Sequence, residues 1–378
     1  MPQENDLGCI IRQFLPDLLK EKGVSKHQLK VLRALANCRT SEMGGSAMVC
    51  RECGCTHYVL HSCRNRHCPR CQGIDKELWL EERKHELLPV KYFHVVFTVP
   101  HDLLELFRFN RRVMYNLLFE KSWETLCLFA KDPKLMGAGL GAVGILHTWD
   151  QLVKFHPHVH FIIPAGGIDK NGNWKSSKQQ GEFLFNVENL SSKFSARFVK
   201  KLRSLKQQGK IKKYVPRDLI KRPWVVYAKQ AFGSPENVLE YLGRYTHRVA
   251  ISNTRILKVT ATHVTFRWCN RKKGYKTETR TITGTEFLER FLDHIVPAGF
   301  HRIRHLGFLS SRNKTNALQI IRKQLLADVN PCPRLTRTEV LTLRFGERSL
   351  MKCKVCGGEL VVFETFKKQR APPLSICA

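Results

Sequence analysis

Acidic residues are scarce in this chain, and their scarcity narrows the classes of function that the sequence allows. The 378 residues include 32 Asp and Glu against 64 Lys and Arg, which gives a formal net charge of +32. An excess of this size, spread along most of the chain, favours a polyanionic partner, and nucleic acid is the partner that it predicts. A membrane surface, or a charge that only keeps the protein soluble, is the alternative.

Three further features are missing. The sequence has no run of about 18 apolar residues that could span a bilayer, and its polar, acidic beginning, MPQENDLG, is unlike a signal peptide. We therefore expect a cytoplasmic protein without a membrane partner, whose 14 cysteines are thiols or metal ligands rather than disulfides. Gly167 and Gly172 superficially suggest a phosphate-binding loop, but Asn173 stands where Lys is required, so no nucleotide cofactor is expected.

The segment MVCRECGCTHYVLHSCRNRHCPRCQ concentrates the cysteines. Cys50 and Cys53 form one C-x-x-C pair, and Cys68 and Cys71 form another. Each pair makes a tight turn that directs two thiolates at one ion, so two pairs predict one tetrahedral structural zinc site in a zinc ribbon. A redox dithiol pair is the alternative, but no thioredoxin-like pattern surrounds it. Other candidate ligands lie close by: Cys55, Cys63, His57, His61 and His67.

A further C-x-x-C pair lies near the end of the sequence. Cys353 and Cys356 in CKVCGGELVVFE resemble half of a zinc ribbon, which makes them candidate ligands of a second zinc ion. Cys332 and Cys377 could complete this site, although their spacings are irregular.

Histidines occupy every second position of HPHVHF, at 156, 158 and 160. In a β-strand successive side chains alternate between faces, so these three imidazoles point the same way. Such a row predicts either a metal site or the polar surface of a sheet.

The regions around this run alternate between strands and helices. KYFHVVFTVP, AVGILHTW and WVVYAK are predicted strands, residues 101–132 and 186–207 are predicted helices, and DKNGNW is a predicted hairpin turn. Near the beginning, Ser25 followed by Gln28 predicts a helix capping box. This alternation indicates an α+β fold in which helices cover a sheet.

The segment GSPENVLEYLGRYTHR predicts a helix that begins at Pro235 after Ser234 as its N-cap. Tyr241 and Tyr245 are four residues apart, so both project from one face on successive turns. The alternative interpretation is that both tyrosines only pack against neighbouring residues. Two arginines at the same spacing occupy a neighbouring face: Arg244 and Arg248.

Five blocks of the sequence, in order, resemble the two-tyrosine rolling-circle transposases of the insertion sequence 91 family. These proteins are HUH endonucleases, whose hallmark is a His-hydrophobe-His strand followed by a helix with one or two tyrosines. The blocks are SCRNRHCPRCQ at 62–72, FHVVFTVP at 93–100, LHTWDQLVKFHPHVHFIIPAGG at 146–167, YLGRYTHRVAISN at 241–253 and FHRIRHLGFL at 300–309.

The resemblance implies a ferredoxin-like HUH endonuclease sheet with flanking helices and with His158 and His160 on a central strand. These two histidines would bind a catalytic divalent ion, Mg²⁺ or Mn²⁺, and Tyr241 and Tyr245 would be the nucleophiles. Candidates for a third metal ligand are His156, His94, Asp150 and Gln151.

The implied activity is that of a transposase that nicks and rejoins single-stranded DNA at element ends through 5′-phosphotyrosine intermediates. Its partners would be single-stranded transposon ends and target DNA, at the nucleoid of a bacterium. An HUH replication initiator or relaxase, and a non-catalytic zinc-containing DNA-binding regulator, are the alternatives.

Three regions are expected along the chain. Residues 1–90 would form a helical and zinc-ribbon DNA-binding domain, 91–300 the HUH catalytic domain with the tyrosine helix, and 301–378 a basic C-terminal region with half a zinc ribbon. A basic solvated surface is the alternative interpretation of the block at 300–309. The residues expected to contact DNA are Arg244, Arg248, Arg302, Arg304 and His305.

Overall fold

The computed structural model describes residues 5–178, 184–221, 224–231, 237–238, 243, 246, 248–327, 335–346 and 352–367. Within these ranges the α-helices are α1 (Leu7–Glu21), α2 (Lys26–Ala36), α3 (Gln72–Lys84), α4 (Leu104–Phe109), α5 (Arg111–Lys131), α6 (Val187–Gln207), α7 (Gly284–Leu292), α8 (Lys314–Gln324) and α9 (Arg337–Phe345). None of these helices is long and apolar enough to cross a bilayer.

The described strands form four sheets. They are β1 (Gly45–Cys50), β2 (Thr56–Leu60), β3 (Tyr92–Thr98), β4 (Gly141–Trp149), β5 (Phe155–Pro164), β6 (Gly166–Ile168), β7 (Trp174–Ser176), β8 (Val226–Ala231), β9 (Ile256–Val259), β10 (His263–Asn270), β11 (Lys276–Thr283), β12 (Ile303–Gly307) and β13 (Leu360–Phe366).

The largest sheet contains five antiparallel strands in the order β12-β4-β5-β3-β8. Along the chain, β3, α5, β4, β5, α6 and β8 follow the βαββαβ sequence of a ferredoxin-like unit. The strand β12 extends this unit at the β4 edge. The predicted α+β fold with a ferredoxin-like sheet is therefore confirmed, and the histidine-bearing β5 is its middle strand.

The two faces of β5 differ in chemistry because alternate residues point in opposite directions. Val159 and Phe161 pack in a core with Phe119 of α5 and Phe194 of α6. Helices α5 and α6 thus cover one face of the sheet, and the three histidines of HPHVHF are left on the other.

Two groups of elements cover the histidine face. At one end, Leu80 of α3 and Leu318 of α8 pack against Ile145 and Ile162 of the sheet. At the other end, Trp149 joins a separate core formed by α1, α2, α7 and the sheet of β9, β10 and β11. The histidines therefore lie between two packed regions on the same face of the sheet.

The beginning and the end of the described chain meet in one small sheet, whose strand order is β13-β1-β2. Here Gly45 lies opposite Phe366 and Cys50 opposite Leu360. The predicted basic C-terminal region at 301–378 thus contributes strands to two sheets, and the predicted domain boundaries stay a prediction. Strands pair according to backbone hydrogen bonding and burial, so β12 joins the five-stranded sheet while β13 pairs with β1.

Several local predictions are confirmed. Ser25 and Gln28 form the predicted capping box at the start of α2. The predicted turn within DKNGNW connects the paired strands β6 and β7, and Gly172 adopts a φ of 83°. Most of the predicted helix beginning at Pro235 lies outside the described residues.

Gly307 ends β12 with a φ of 60°, and a methyl group on it would collide with the carbonyl oxygen of Leu140. We expect Gly307→Ala to lower the free energy of unfolding by at least about 3 kcal/mol, because backbone strain and overpacking add together. Gly299 is the matched control: its φ is 66°, but no atom lies within 4 Å of the added methyl group. Gly299→Ala should lower the free energy of unfolding by only about 1–2 kcal/mol, as measured by urea unfolding. Equal losses in the two variants would contradict the predicted collision at Gly307.

Candidate metal centre

Three imidazoles converge on the histidine face of the central sheet. Because β4 and β5 are antiparallel, His147 lies directly opposite His158. Cross-strand partners are closer than same-face neighbours on one strand, where two residues span about 6.6 Å. Side-chain nitrogens of His147, His158 and His160 lie within 4.8 Å of one another and could hold one metal ion.

His147 replaces His156 as the third member of this group. His156 lies about 13 Å along the strand from His160, which is too far for both to reach one ion. Its ring centre is 5.0 Å from that of His158 and 6.5 Å from that of His101. The prediction of His156 as a third ligand is therefore corrected. The alternating pattern of AVGILHTW, with His147 on one face of β4, was the signal that could have identified the third histidine.

The other candidate third ligands have different roles in the structure. The carboxylate of Asp150 accepts hydrogen bonds from the backbone N–H groups of Leu152 and Lys154, both at 2.8 Å. It therefore shapes the turn between β4 and β5. Asp150 belongs to no metal-binding group of His, Cys, Asp and Glu within the described part of the chain, and a role of Gln151 as a ligand stays a prediction.

Two neighbouring groups orient the coordinating rings. His158 donates from Nδ1 to the carbonyl oxygen of His156 at 2.6 Å. Nδ1 of His160 lies 2.7 Å from Nε2 of His94, and these two rings are stacked. Both hydrogen bonds engage Nδ1, so Nε2 is the nitrogen that each ring directs to an ion. His94, a candidate ligand from the sequence, contacts the ring of His160 and lies outside the group of three.

Burial keeps these imidazoles neutral. Desolvation lowers the pKa of His158 to about 3 and that of His94 to about 4. It also holds the pKa of His160 well below its usual range, and the positive charge of Arg248 adds to this effect. Neutral imidazole is the form that coordinates metal, so His158 and His160 are ready for an ion at neutral pH.

The tyrosine segment is described only in part. Tyr241, Tyr245 and Arg244 lie outside the described residues, so their predicted roles stay predictions. Gly243 packs against α3, where a methyl group on it would lie 2.8 Å from Leu80.

An open pocket of about 460 Å³ lies beside this segment. Its lining includes the exposed Arg248, together with Gly243, Lys76 and Arg255. The pocket is therefore basic, and Arg248 connects it electrostatically to the histidine group.

The block FHRIRHLGFL forms the edge strand β12 and its flanks. Arg302 is only 7% exposed and donates from Nη2 to the carbonyl oxygen of Thr246 at 3.2 Å. The prediction that Arg302 contacts DNA is therefore wrong, because its guanidinium faces the protein interior.

Arg304 and His305 are half-buried and have protein partners. The guanidinium of Arg304 lies 4.2 Å from the ring centroid of Phe119 and donates to Oδ1 of Asn116 at 2.6 Å. Nε2 of His305 lies 3.2 Å from Nη1 of Arg83. Any contact of these two side chains with DNA stays a prediction.

Cys38, Cys63, Cys68 and Cys71 form one group of four thiols. The sulfur of Cys38 lies 3.6 Å from that of Cys68 and 3.7 Å from that of Cys71. Tetrahedral zinc with bonds of 2.3 Å places its sulfur ligands about 3.8 Å apart, so this group fits zinc. Cys38, just after α2, was missed in the sequence because it belongs to no C-x-x-C pair.

Cys50 and Cys53 belong to a different group, with Cys353 and Cys356. The prediction of one site formed by Cys50, Cys53, Cys68 and Cys71 is therefore corrected. The two C-x-x-C turns are chemically equivalent, and the fold assigns each of them other partners. Cys332 and Cys377, which could have completed a C-terminal site, lie outside the described residues.

Comparison with known proteins identifies the family. One family model, described as "Putative transposase", matches residues 141–317, and another, described as "Transposase zinc-binding domain", matches residues 10–99. The chain is 38% identical over 370 residues to "Putative transposase y4qJ" of Sinorhizobium fredii (strain NBRC 101917 / NGR234), covering 93% of this chain and 92% of that protein. The chain belongs to the insertion sequence 91 family of transposases.

This transposase has a second, more distant relative. It is 26% identical over 363 residues to "Transposase for insertion sequence element IS801" of Pseudomonas savastanoi pv. phaseolicola, covering 91% of this chain and 85% of that protein. No solved structure matches it. The matched zinc-binding segment contains all four thiols of the Cys38 group, and this agreement supports structural zinc in the transposase.

We expect His147→Ala and His158→Ala each to weaken Mn²⁺ binding by more than about tenfold, because each removes a coordinating nitrogen. His156→Ala should change the affinity by less than about twofold and serves as the control on the same strand. Calorimetric titration measures the affinity, and circular dichroism checks that each variant is folded. If His147→Ala still binds Mn²⁺ tightly and His156→Ala binds it weakly, His156 rather than His147 is the third ligand.

Proposed function

We propose that this transposase nicks and rejoins single-stranded DNA at its element ends through 5′-phosphotyrosine intermediates, in a rolling-circle type of transposition. The observation that carries the proposal is the group of three closely spaced histidines on the adjacent strands β4 and β5 of a ferredoxin-like sheet. The tyrosine pair that follows it in the sequence supplies two candidate nucleophiles, Tyr241 and Tyr245.

The donor set fits a catalytic divalent ion. His147, His158 and His160 would hold it through nitrogen alone, and such a set suits Mn²⁺ better than Mg²⁺, which prefers oxygen ligands. A bound ion supplies Lewis acidity that polarises the scissile phosphate and orients it for in-line attack. His94 and the carbonyl group of His156 keep the coordinating rings in position.

The strand transfer needs no external energy source. The phenolic oxygen of one tyrosine attacks the scissile phosphorus, and the bond between that phosphorus and the 3′ oxygen breaks. The tyrosine loses its proton, the departing 3′ oxygen gains one, and the 5′ phosphate remains on the tyrosine. A free 3′ hydroxyl group can later attack the phosphotyrosine and restore a phosphodiester, since one ester simply replaces another.

Basic residues around the histidines support a DNA strand as the substrate. The charges of Arg248 and Arg271 act on the histidine group, and Lys76 and Arg255 line the neighbouring pocket. Phosphates of a single strand would neutralise these charges, while exposed aromatic rings such as Tyr275 offer a stacking surface for bases.

The decisive experiment seeks a covalent adduct. Purified transposase is incubated with labelled single-stranded element ends and Mn²⁺, and the products are separated on denaturing gels. We expect an adduct with the wild type and none with the double variant Tyr241→Phe and Tyr245→Phe, because phenylalanine keeps the ring and lacks the attacking oxygen. Each single variant should fail in complete transposition, even if one of them still nicks.

Tyr227→Phe tests the competing nucleophile in this experiment. Tyr227 is 49% exposed on β8, and its ring centre is 6.3 Å from that of His94, on the histidine face. If Tyr227→Phe loses the adduct and the double variant keeps it, the nucleophile has been assigned to the wrong residues. No adduct from the wild type would favour a non-catalytic regulator, and nicking confined to a single replication or transfer origin would favour an initiator or relaxase.

We expect His158→Ala or His160→Ala to abolish cleavage and to change DNA affinity by less than about threefold. The affinity comes from positive charge spread over the surface, whereas the two histidines hold the ion. Fluorescence anisotropy at fixed salt measures the affinity, and the denaturing gel measures cleavage. Metal-dependent cleavage in both variants would contradict the assignment of the histidines.

A further inference from the structure

Cys50, Cys53, Cys353 and Cys356 form a second group of four thiols. Two of them come from the beginning of the described chain and two from its end. The matched zinc-binding segment ends at residue 99, so the second pair lies far beyond it. The Cys38 group is complete within that segment, and this second group therefore calls for its own explanation.

The two halves of the group share one local design. The sequence reads CRECG at 50–54 and CKVCG at 353–357, and the final glycines, Gly54 and Gly357, have φ values of 68° and 80°. In the second turn, backbone N–H groups point at sulfur: Val355 donates to Cys353 and Gly358 donates to Cys356, both at 3.4 Å. N–H groups directed at sulfur stabilise thiolate, which is the form that binds metal.

The sulfur separations fit a single ion. The sulfur of Cys50 lies 3.4 Å from that of Cys356, and the sulfur of Cys53 lies 3.6 Å from that of Cys353. These distances are near the value of about 3.8 Å for sulfur ligands of tetrahedral zinc and far above the disulfide bond length of about 2.05 Å. At Gly358 an added methyl group would collide with Cγ of Glu52 and lie 3.1 Å from the sulfur of Cys50, so a side chain there would crowd the two turns.

Further polar groups join the two turns around the sulfurs. Nε2 of His57 lies 3.2 Å from the sulfur of Cys353, where an N–H group would stabilise a thiolate. The backbone N–H of Arg51 donates to the carbonyl oxygen of Glu359 at 3.0 Å, and their side chains form an ion pair at 3.5 Å. With four sulfurs available as ligands, His57 is a hydrogen-bond donor beside the site.

The small sheet around this group has little apolar core of its own. Besides cysteines, its buried cluster contains only Met48 and Leu360 within the described part of the chain. Phe363 on β13 is 77% exposed. Ala47 and Phe366 add some buried apolar surface. A core of this size gives little stability to two strands that are some 300 residues apart in the chain, and in such small modules metal binding supplies folding free energy.

From these observations we propose that Cys50, Cys53, Cys353 and Cys356 bind a second structural zinc ion, which fastens β13 to β1 and so joins the two ends of the described chain. The zinc ribbon is thus assembled from both ends of the sequence. The Cys38 group holds the first zinc ion independently.

Zinc content of the full chain tests the proposal. All proteins carry His147→Ala and His158→Ala, which disable the histidine site, so that zinc is counted at the cysteines alone. Elemental analysis should then give two zinc ions per chain, and Cys353→Ser or Cys356→Ser should each lower this to one. Cys38→Ser should also give one, and combining it with Cys356→Ser should give none. Cys127→Ser and Cys269→Ser, at cysteines outside both groups, should retain two. One zinc ion with all cysteines intact, or two in both Cys353→Ser and Cys356→Ser, would overturn the proposal.

Thiol alkylation of the wild type gives a second test that does not depend on the folding of variants. Although Cys356 is exposed, it should react slowly until a chelator removes zinc, and peptide mapping should show the same protection for Cys53. Hydrogen exchange in β1 and β13 should increase when this protection is lost. Rapid alkylation of Cys356 in the zinc-loaded protein would refute the site. Neither measurement involves DNA, so the result is independent of the proposed cleavage activity.

Discussion

The antiparallel register between β4 and β5 is the constraint on which the proposed active site depends. It sets His147 opposite His158, and a slip of one residue would turn every histidine of β5 toward the apolar core. The opposite face prevents this slip, because Val159, Phe161 and Ile163 are fully buried against helices. The hydrophobic core beneath the sheet thus specifies the arrangement of the imidazoles above it.

Burial determines the protonation state of His158 and His160 in this strongly basic protein. Desolvation and nearby arginines both lower the pKa of His158 and His160, so these rings are neutral, and imidazole ligands offer a cation no negative charge. The same arginines repel a bound cation, whereas a DNA phosphate in the site would attract it. Under the proposed function, metal and DNA would therefore favour each other's binding, and by linkage this coupling is reciprocal. A site built from carboxylates would hold its ion without DNA.

The sequence was sufficient for features that depend on local periodicity. Alternation in HPHVHF predicted a strand with one histidine face, and Ser25 with Gln28 predicted a cap. It was insufficient where partners are distant and chemically equivalent. Cys50 could pair with any other C-x-x-C turn, and only the pairing of β1 with β13 brings Cys356 to it. Likewise, His147 becomes a partner of His158 only through the strand register.

The prediction that Arg302 contacts DNA was based on its charge, whereas the structure buries its side chain. The contacts of Arg302 lie next to the tyrosine segment. The carbonyl oxygen of Arg302 accepts a hydrogen bond from the backbone N–H of Leu146, the residue before His147. Its buried guanidinium binds the carbonyl oxygen of Thr246, while Gly243 packs against Leu80 of α3. The described residues on both sides of positions 244–245 are therefore anchored to elements that border the histidine face. Under the proposed function, strand transfer would require a nucleophile held at a fixed distance from the activated phosphate, and the buried Arg302 would help to fix the chain beside positions 244–245.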